Sequence, residues 1–121
     1  SIMIELLFLL ITKHFIIDFF LQTPAQVKYK GVWAHPVGFS HSLEQGIWTA
    51  VILCFYVDIR LAVAISYCEL LIHYITDYTK MKHGCKDTTQ KAFWFQLGLD
   101  QYVHYLTYLS IAYFLQKVLA L

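Results

Sequence analysis

Charge is what this sequence has least of. Of its 121 residues only 14% are Asp, Glu, Lys or Arg, against roughly a quarter in an ordinary soluble domain. So few charges cannot coat a folded surface in water, which leaves much of the exterior to face lipid or a partner. Net charge is nearly absent too: a balance of +1, with no basic stripe and interleaved aromatics, excludes nucleic acid as a partner. The three cysteines, Cys54, Cys68 and Cys85, include no C-x-x-C pair, so neither a disulfide framework nor a thiolate zinc site is implied. Cys54 and Cys68 lie in apolar runs and read as small core hydrophobes.

Apolar residues fill the space that charge leaves. The chain is 59% hydrophobic and 17% aromatic, with a mean hydropathy of +0.55, which excludes disorder. Four apolar stretches stand between clusters of charge and turn residues, at 2–22, 36–57, 61–79 and 92–119. Each approaches or exceeds the ~20 residues that carry a helix across ~30 Å of hydrocarbon. In lipid each must be helical, because every backbone group needs an internal partner. The first stretch lacks the basic start and small-residue cleavage site of a signal peptide and carries Lys13, His14 and Asp18, so it reads as a retained span.

The expected fold is therefore all-α: one transmembrane domain over residues 1–121, a polytopic membrane four-helix bundle built from two repeated helical hairpins, 1–57 and 61–121. Six of the nine basic residues (Lys28, Lys30, Lys80, Lys82, Lys86, Lys91) fall in the two long loops. The positive-inside rule then puts those loops in the cytoplasm and both termini outside, in an inner-membrane protein. Trp33, Trp94, Tyr29 and Tyr78 suit interfacial anchoring. With so few spans a homodimer is expected, although no G-x-x-x-G face marks its interface.

Polar residues interrupt these apolar runs where burial makes them costly. His14, Asp18 and Gln22 form one ladder at i, i+4, i+8; Glu69, His73 and Asp77 form a second; Asp100 and His104 are a further i, i+4 pair. Each set shares one helix face. With antiparallel neighbours, these sets and His41 fall at one level on the cytoplasmic side. His14-Phe-Ile-Ile-Asp18-Phe and His73-Tyr-Ile-Thr-Asp77-Tyr also share H-[FY]-I-x-D-[FY], the basis for reading two copies of one hairpin about a pseudo-two-fold axis along the membrane normal.

Imidazoles and carboxylates on facing helices are what a divalent ion such as zinc, manganese or iron needs. The expected metal ligands are His14, Asp18, His41, His73, Asp77, Asp100 and His104. They outnumber one tetrahedral site, which brings a two-metal centre within reach; the surplus carboxylates would otherwise orient the imidazoles. The competing reading is interhelical hydrogen-bond glue without metal. Glu44 and Glu69 stand open between catalytic base, extra ligand and glue. Gln22, Lys30, Lys80 and Gln101 are the candidate substrate contacts, with Lys30 and Lys80 able to meet an anionic headgroup or simply to satisfy the topology rule. His35 and His83 read as loop residues.

The order H-x3-D-F-x2-Q from His14 to Gln22, then Lys30, His41, H-x3-D-x2-K from His73 to Lys80, and F-x4-D-Q-x2-H from Phe95 to His104 resembles a family of small bacterial and phage integral membrane proteins of unknown function. The resemblance spans nearly the whole chain and implies a polytopic membrane protein with these polar positions as its site. More loosely, the pattern is similar to membrane-bound metal-dependent hydrolases.

Three functions follow as expectations. The first is a metal-dependent hydrolase acting on a lipid-linked phosphate or ester at the cytoplasmic leaflet. The second is a cation or proton transport or binding protein, disfavoured because the outer halves of the spans offer little that is polar beyond Glu5. The third is a non-enzymatic membrane interaction protein whose polar cluster only fixes the helices.

Overall fold

Helix ends in this chain are set by a few side chains that satisfy the free N–H groups of a first turn. The computed structural model, which describes residues 1–119, shows five α-helices. Ser1 caps α1 (Ile2–Phe15), which passes into a wider π-helical segment, Ile16–Leu21. Gln22 turns extended there, and its side-chain amide donates to the Asp18 carbonyl oxygen at 2.9 Å. Thr23 and Gln26 form a reciprocal capping box on α2 (Pro24–Tyr29), with Pro24 where no N–H is needed. His35 caps α3 (Pro36–Leu53) through Nδ1, 3.2 Å from the Val37 nitrogen. Asp58 caps α4 (Ile59–His83), and the Gly84 N–H closes that helix on the Lys80 carbonyl at 2.8 Å. Last comes α5 (Lys91–Val118).

Helix α3 packs on α4 and on α2, α1 packs on α5 and α3, and α4 packs on α5. The α2–α3 crossing is close at Gly38, where a Cβ would overlap the Tyr29 carbonyl oxygen. The interior divides into two ends. At one, Leu6, Leu10, Leu53, Ala62, Ile111 and Leu115 form an apolar cluster from the start of α1, the end of α3, the start of α4 and the end of α5. At the other, the buried residues are mainly polar, among them His14, His41, His73, Asp77, Asp100 and His104, with Ile17 and Tyr74 beside them in the sequence.

The outside is the reverse of this. Phe8, Phe20, Phe55 and Phe95 are each more than half exposed. Cys54 and Cys68 also lie on the outside, which corrects their reading as core residues: Cys68 sits on the outward side of α4 and Cys54 just past the end of α3.

The polytopic four-helix membrane bundle is corrected as well. Among the described residues only α4, 25 residues long, is both long and apolar enough to cross a membrane. The apolar stretch 2–22 is not one helix, because α1 ends after 14 residues and the π segment follows. The stretch 36–57 outruns α3, which stops at Leu53 and buries His41, Ser42, Gln45 and Thr49. Helix α5 has the length, at 28 residues, but Asp100, Gln101 and His104 interrupt its apolar run. The two copies of the H-[FY]-I-x-D-[FY] motif are not conformational repeats either. His14 to Asp18 crosses from α- into π-helix, whereas His73 to Asp77 lies within regular α4.

Candidate metal centre

Each ladder read from the sequence meets the others in space because its helix turns that face inward. Helix α4 supplies His73 and Asp77, α3 supplies His41, α5 supplies Asp100 and His104, and α1 with its π segment supplies His14 and Asp18. The π segment that closes the first helix carries Asp18.

The tightest part of the site is a set of four donor atoms. His41 Nε2 stands 2.8 Å from Asp18 Oδ1 and 3.5 Å from Asp77 Oδ2. His73 Nε2 stands 3.6 Å from Asp18 Oδ1 and 3.1 Å from Asp77 Oδ2. The two Nε2 atoms are themselves 3.2 Å apart. Donors ~2.0–2.1 Å from a tetrahedral zinc ion stand about 3.3 Å from one another. Each nitrogen thus stands from both oxygens, and from the other nitrogen, at about the spacing that one ion imposes.

The second oxygens of the same two aspartates point elsewhere. Asp77 Oδ1 is 3.4 Å from His104 Nε2, which is 3.2 Å from Asp100 Oδ1. Asp18 Oδ2 is 3.3 Å from His14 Nε2. Two groups result whose donors could hold a metal, Asp18 with His41 and His73, and His73 with Asp77 and His104; within each, the ligand atoms all lie within 4.8 Å of one another.

Neighbouring side chains tune these donors. Burial lowers the His14 imidazole to about 4, against the pull of Asp18, and so keeps it neutral. Burial acts on His104 in the same direction, but Asp100 and Asp77 outweigh it and raise that imidazole to about 9. Burial alone would raise the Asp18 carboxyl, yet the imidazoles of His41, His73 and His14 hold it below the usual carboxylate range. His41 Nδ1 and His73 Nδ1 are buried with no hydrogen-bond partner among the described residues, and His104 Nε2 and Asp100 Oδ1, ion-paired at 3.2 Å, are buried without the alignment of a hydrogen bond. Buried polar atoms are rarely left so, and two of the four, His104 Nε2 and Asp100 Oδ1, face the second group.

The candidate substrate contacts surround the cluster. Lys30 Nζ lies 2.7 Å from Gln22 Oε1 and 3.4 Å from Asp77 Oδ2, and Lys80 Nζ lies 3.1 Å from Asp100 Oδ2. Gln101 Oε1 is 2.7 Å from His14 Nε2, and its amide donates to Asp100 Oδ2 at 2.8 Å. The two glutamates stand apart. Glu44 accepts from the Gln26 amide at 3.0 Å. Glu69 pairs with buried Lys13 at 3.2 Å and accepts from Tyr108 at 3.3 Å.

Three buried residues in this network were not singled out as site residues from the sequence. The Gln45 amide donates to Asp18 Oδ1 at 2.9 Å, the Tyr108 hydroxyl lies 3.0 Å from His14 Nδ1, and Lys13 Nζ reaches the Tyr108 hydroxyl at 3.1 Å. A signal existed for two of them. Gln45 follows His41 by four residues and Tyr108 follows His104 by four, each extending a ladder by one turn.

Fold and site together define an all-α protein with buried histidine–aspartate groups able to take a metal. Residues 6–120 match the family described as Protein of unknown function (DUF3307), and the chain belongs to that family. No curated protein and no solved structure matches the chain.

Proposed function

We propose that this protein is a membrane-associated, metal-dependent hydrolase acting on a lipid-linked phosphate or ester at the cytoplasmic leaflet, with two divalent ions of zinc, manganese or iron in the cluster. The observation that carries the reading is the pair of His41 and His73 Nε2 atoms, 3.2 Å apart and each 2.8–3.6 Å from one oxygen of Asp18 and one of Asp77, with both aspartates turning their second oxygens toward His14 and His104. Asp18 and Asp77 would help to hold the ions with the four imidazoles, and Asp100 would stand beside His104 in the second group. A two-metal pair supplies Lewis acidity toward a phosphoryl or acyl oxygen and lowers the pKa of water.

The remaining residues position and bind. Tyr108 holds His14 by its Nδ1, and Glu69 and Lys13 hold Tyr108, so Glu69 acts on His14 through Tyr108. Gln22, Lys30, Lys80 and Gln101 face the side from which an anionic group would approach. Membrane lipid is the partner that suits the exposed phenylalanines of the outer face, and the lysines of the basic loops suit the anionic cytoplasmic leaflet. A transport path is disfavoured, because the interior beyond the cluster is closed by Leu6, Leu10, Leu53 and Leu115.

The test is turnover. Metal-loaded protein should release phosphate or a fatty acid from a bacterial lipid extract, lose that activity to a chelator and regain it on adding back the ion. Proton or cation flux in proteoliposomes, abolished by Asp18→Asn and with no product released, would overturn the hydrolase in favour of transport.

A further inference from the structure

A cavity of about 490 Å³ opens beside the metal cluster, between the π segment, α2, the end of α4 and the first turns of α5. Asp18 forms part of its wall and is the one carboxylate among the described lining residues. Three ammonium groups line it as well, from Lys30, Lys80 and Lys86, while Phe19 and Phe93 supply apolar wall. A strongly cationic and partly apolar cavity touching a candidate ligand is a chemical description of what fits there: an anion carrying an apolar chain.

The lysines are not all free to receive it. Lys30, only 5% exposed, rests on Asp77 Oδ2 at 3.4 Å and on Gln22 Oε1 at 2.7 Å. Lys80 rests on Asp100 Oδ2 at 3.1 Å. Both carboxylates are candidate metal ligands. A divalent ion that binds them takes over their negative charge and leaves the buried Lys30 ammonium and the part-exposed Lys80 ammonium without a counter-ion. Uncompensated buried charge is strongly unfavourable, so an entering anion restores the balance. Lys86, exposed at the rim, makes no ion pair among the described residues and adds a third cation without being released.

We propose that this cavity binds the phosphate of an amphiphilic phosphate, and that it does so once the cluster holds metal: Lys30 and Lys80 neutralise the ligand carboxylates in the free protein and bind the phosphate in the loaded one. The proposal rests on the metal-site reading and narrows its substrate from phosphate or ester to phosphate. An inorganic phosphate ion shares the head chemistry but makes no use of Phe19 and Phe93, so the chain-bearing form is the better ligand.

The experiment is calorimetric titration of the full chain in non-ionic detergent, zinc-loaded and chelator-stripped, with dodecyl phosphate and with inorganic phosphate, and with metal content measured on the same samples. The expected result is dodecyl phosphate binding at least tenfold tighter to the loaded protein than to the stripped one, and tighter than inorganic phosphate. Lys86→Glu should weaken both phosphates by about tenfold, equivalent to one good charge contact, with metal content unchanged. Phe93→Ser should weaken dodecyl phosphate alone. Equal binding to stripped and loaded protein, no effect of Lys86→Glu, or inorganic phosphate binding as tightly as the amphiphile would each overturn the proposal while leaving the metal site standing. Absence of metal from the loaded sample would overturn both.

Discussion

His41 and His73 meet through their Nε2 atoms 3.2 Å apart, and the Nδ1 atom of each is buried without a partner. Two neutral rings in that arrangement share at most one proton between them, and two charged rings repel. A cation between the nitrogens, with Asp18 and Asp77 beside it, would take both Nε2 lone pairs; without one, each Nε2–H donates to a carboxylate, His41 to Asp18 at 2.8 Å and His73 to Asp77 at 3.1 Å.

If Asp77 bridges two ions, its loss should differ from that of Asp100. Asp77→Asn is expected to abolish binding at both positions, whereas Asp100→Asn should retain one ion per chain with the second weakened by about ten- to a hundredfold. Metal titration followed by calorimetry separates the two, and equal stoichiometry in the variants would contradict the bridging role.

Acid and metal compete for His104. Its imidazole, raised to about 9 by Asp100 and Asp77 against the opposing effect of burial, holds a proton at neutral pH that a metal must displace. Apparent metal affinity should therefore rise with pH up to about 9, by about tenfold per unit for one displaced proton. In the metal-free protein the sign reverses. A raised imidazole contributes stability below its unfolded value near 6.5, and that contribution is lost as pH climbs through about 9. Melting temperatures of stripped and loaded protein across this window should diverge.

Lys13 and Glu69, paired at 3.2 Å and both almost fully buried, depend on one another. Burial pushes the Lys13 ammonium below the usual lysine range, against the pull of Glu69. Lys13→Met leaves a buried carboxylate unpaired and should cost about 3–5 kcal/mol, while adding Glu69→Leu should recover most of that loss. Thermal unfolding of the single and double variants measures the coupling; additive losses would count against the pair.

Gly38 sets the distance between α2 and α3, since a Cβ there would overlap the Tyr29 carbonyl oxygen. Gly38→Ala should cost about 1–3 kcal/mol by forcing the helices apart. Because α2 leads into Lys30, it should also weaken anion binding more than metal binding.

The candidate site was more legible in the sequence than the helix boundaries. His14/Asp18, His73/Asp77 and Asp100/His104 announce themselves because a helix repeats a face every three to four residues, and the same rule extends to Gln45 and Tyr108. The Lys13–Glu69 pair was not legible, because it depends on how α1 lies against α4. The π segment has no local signature, and the stretch 2–22 therefore counted two different helical geometries as one span. Hydropathy sums apolar residues without knowing where a helix ends: Cys54 to Val57 extended α3 on paper, although the helix stops at Leu53. Family membership adds the chain's kinship, and the chemistry rests on the cluster alone.

The most direct test is metal content per chain for purified wild-type protein beside His73→Ala, with helical content checked by circular dichroism in both. Two equivalents of zinc, manganese or iron are expected in the wild type, with loss of metal from a variant that keeps its helices, since His73 is a member of both donor groups. A wild-type protein that takes up none of these ions on reconstitution, or a folded His73→Ala variant that binds as many as the wild type, would contradict that expectation.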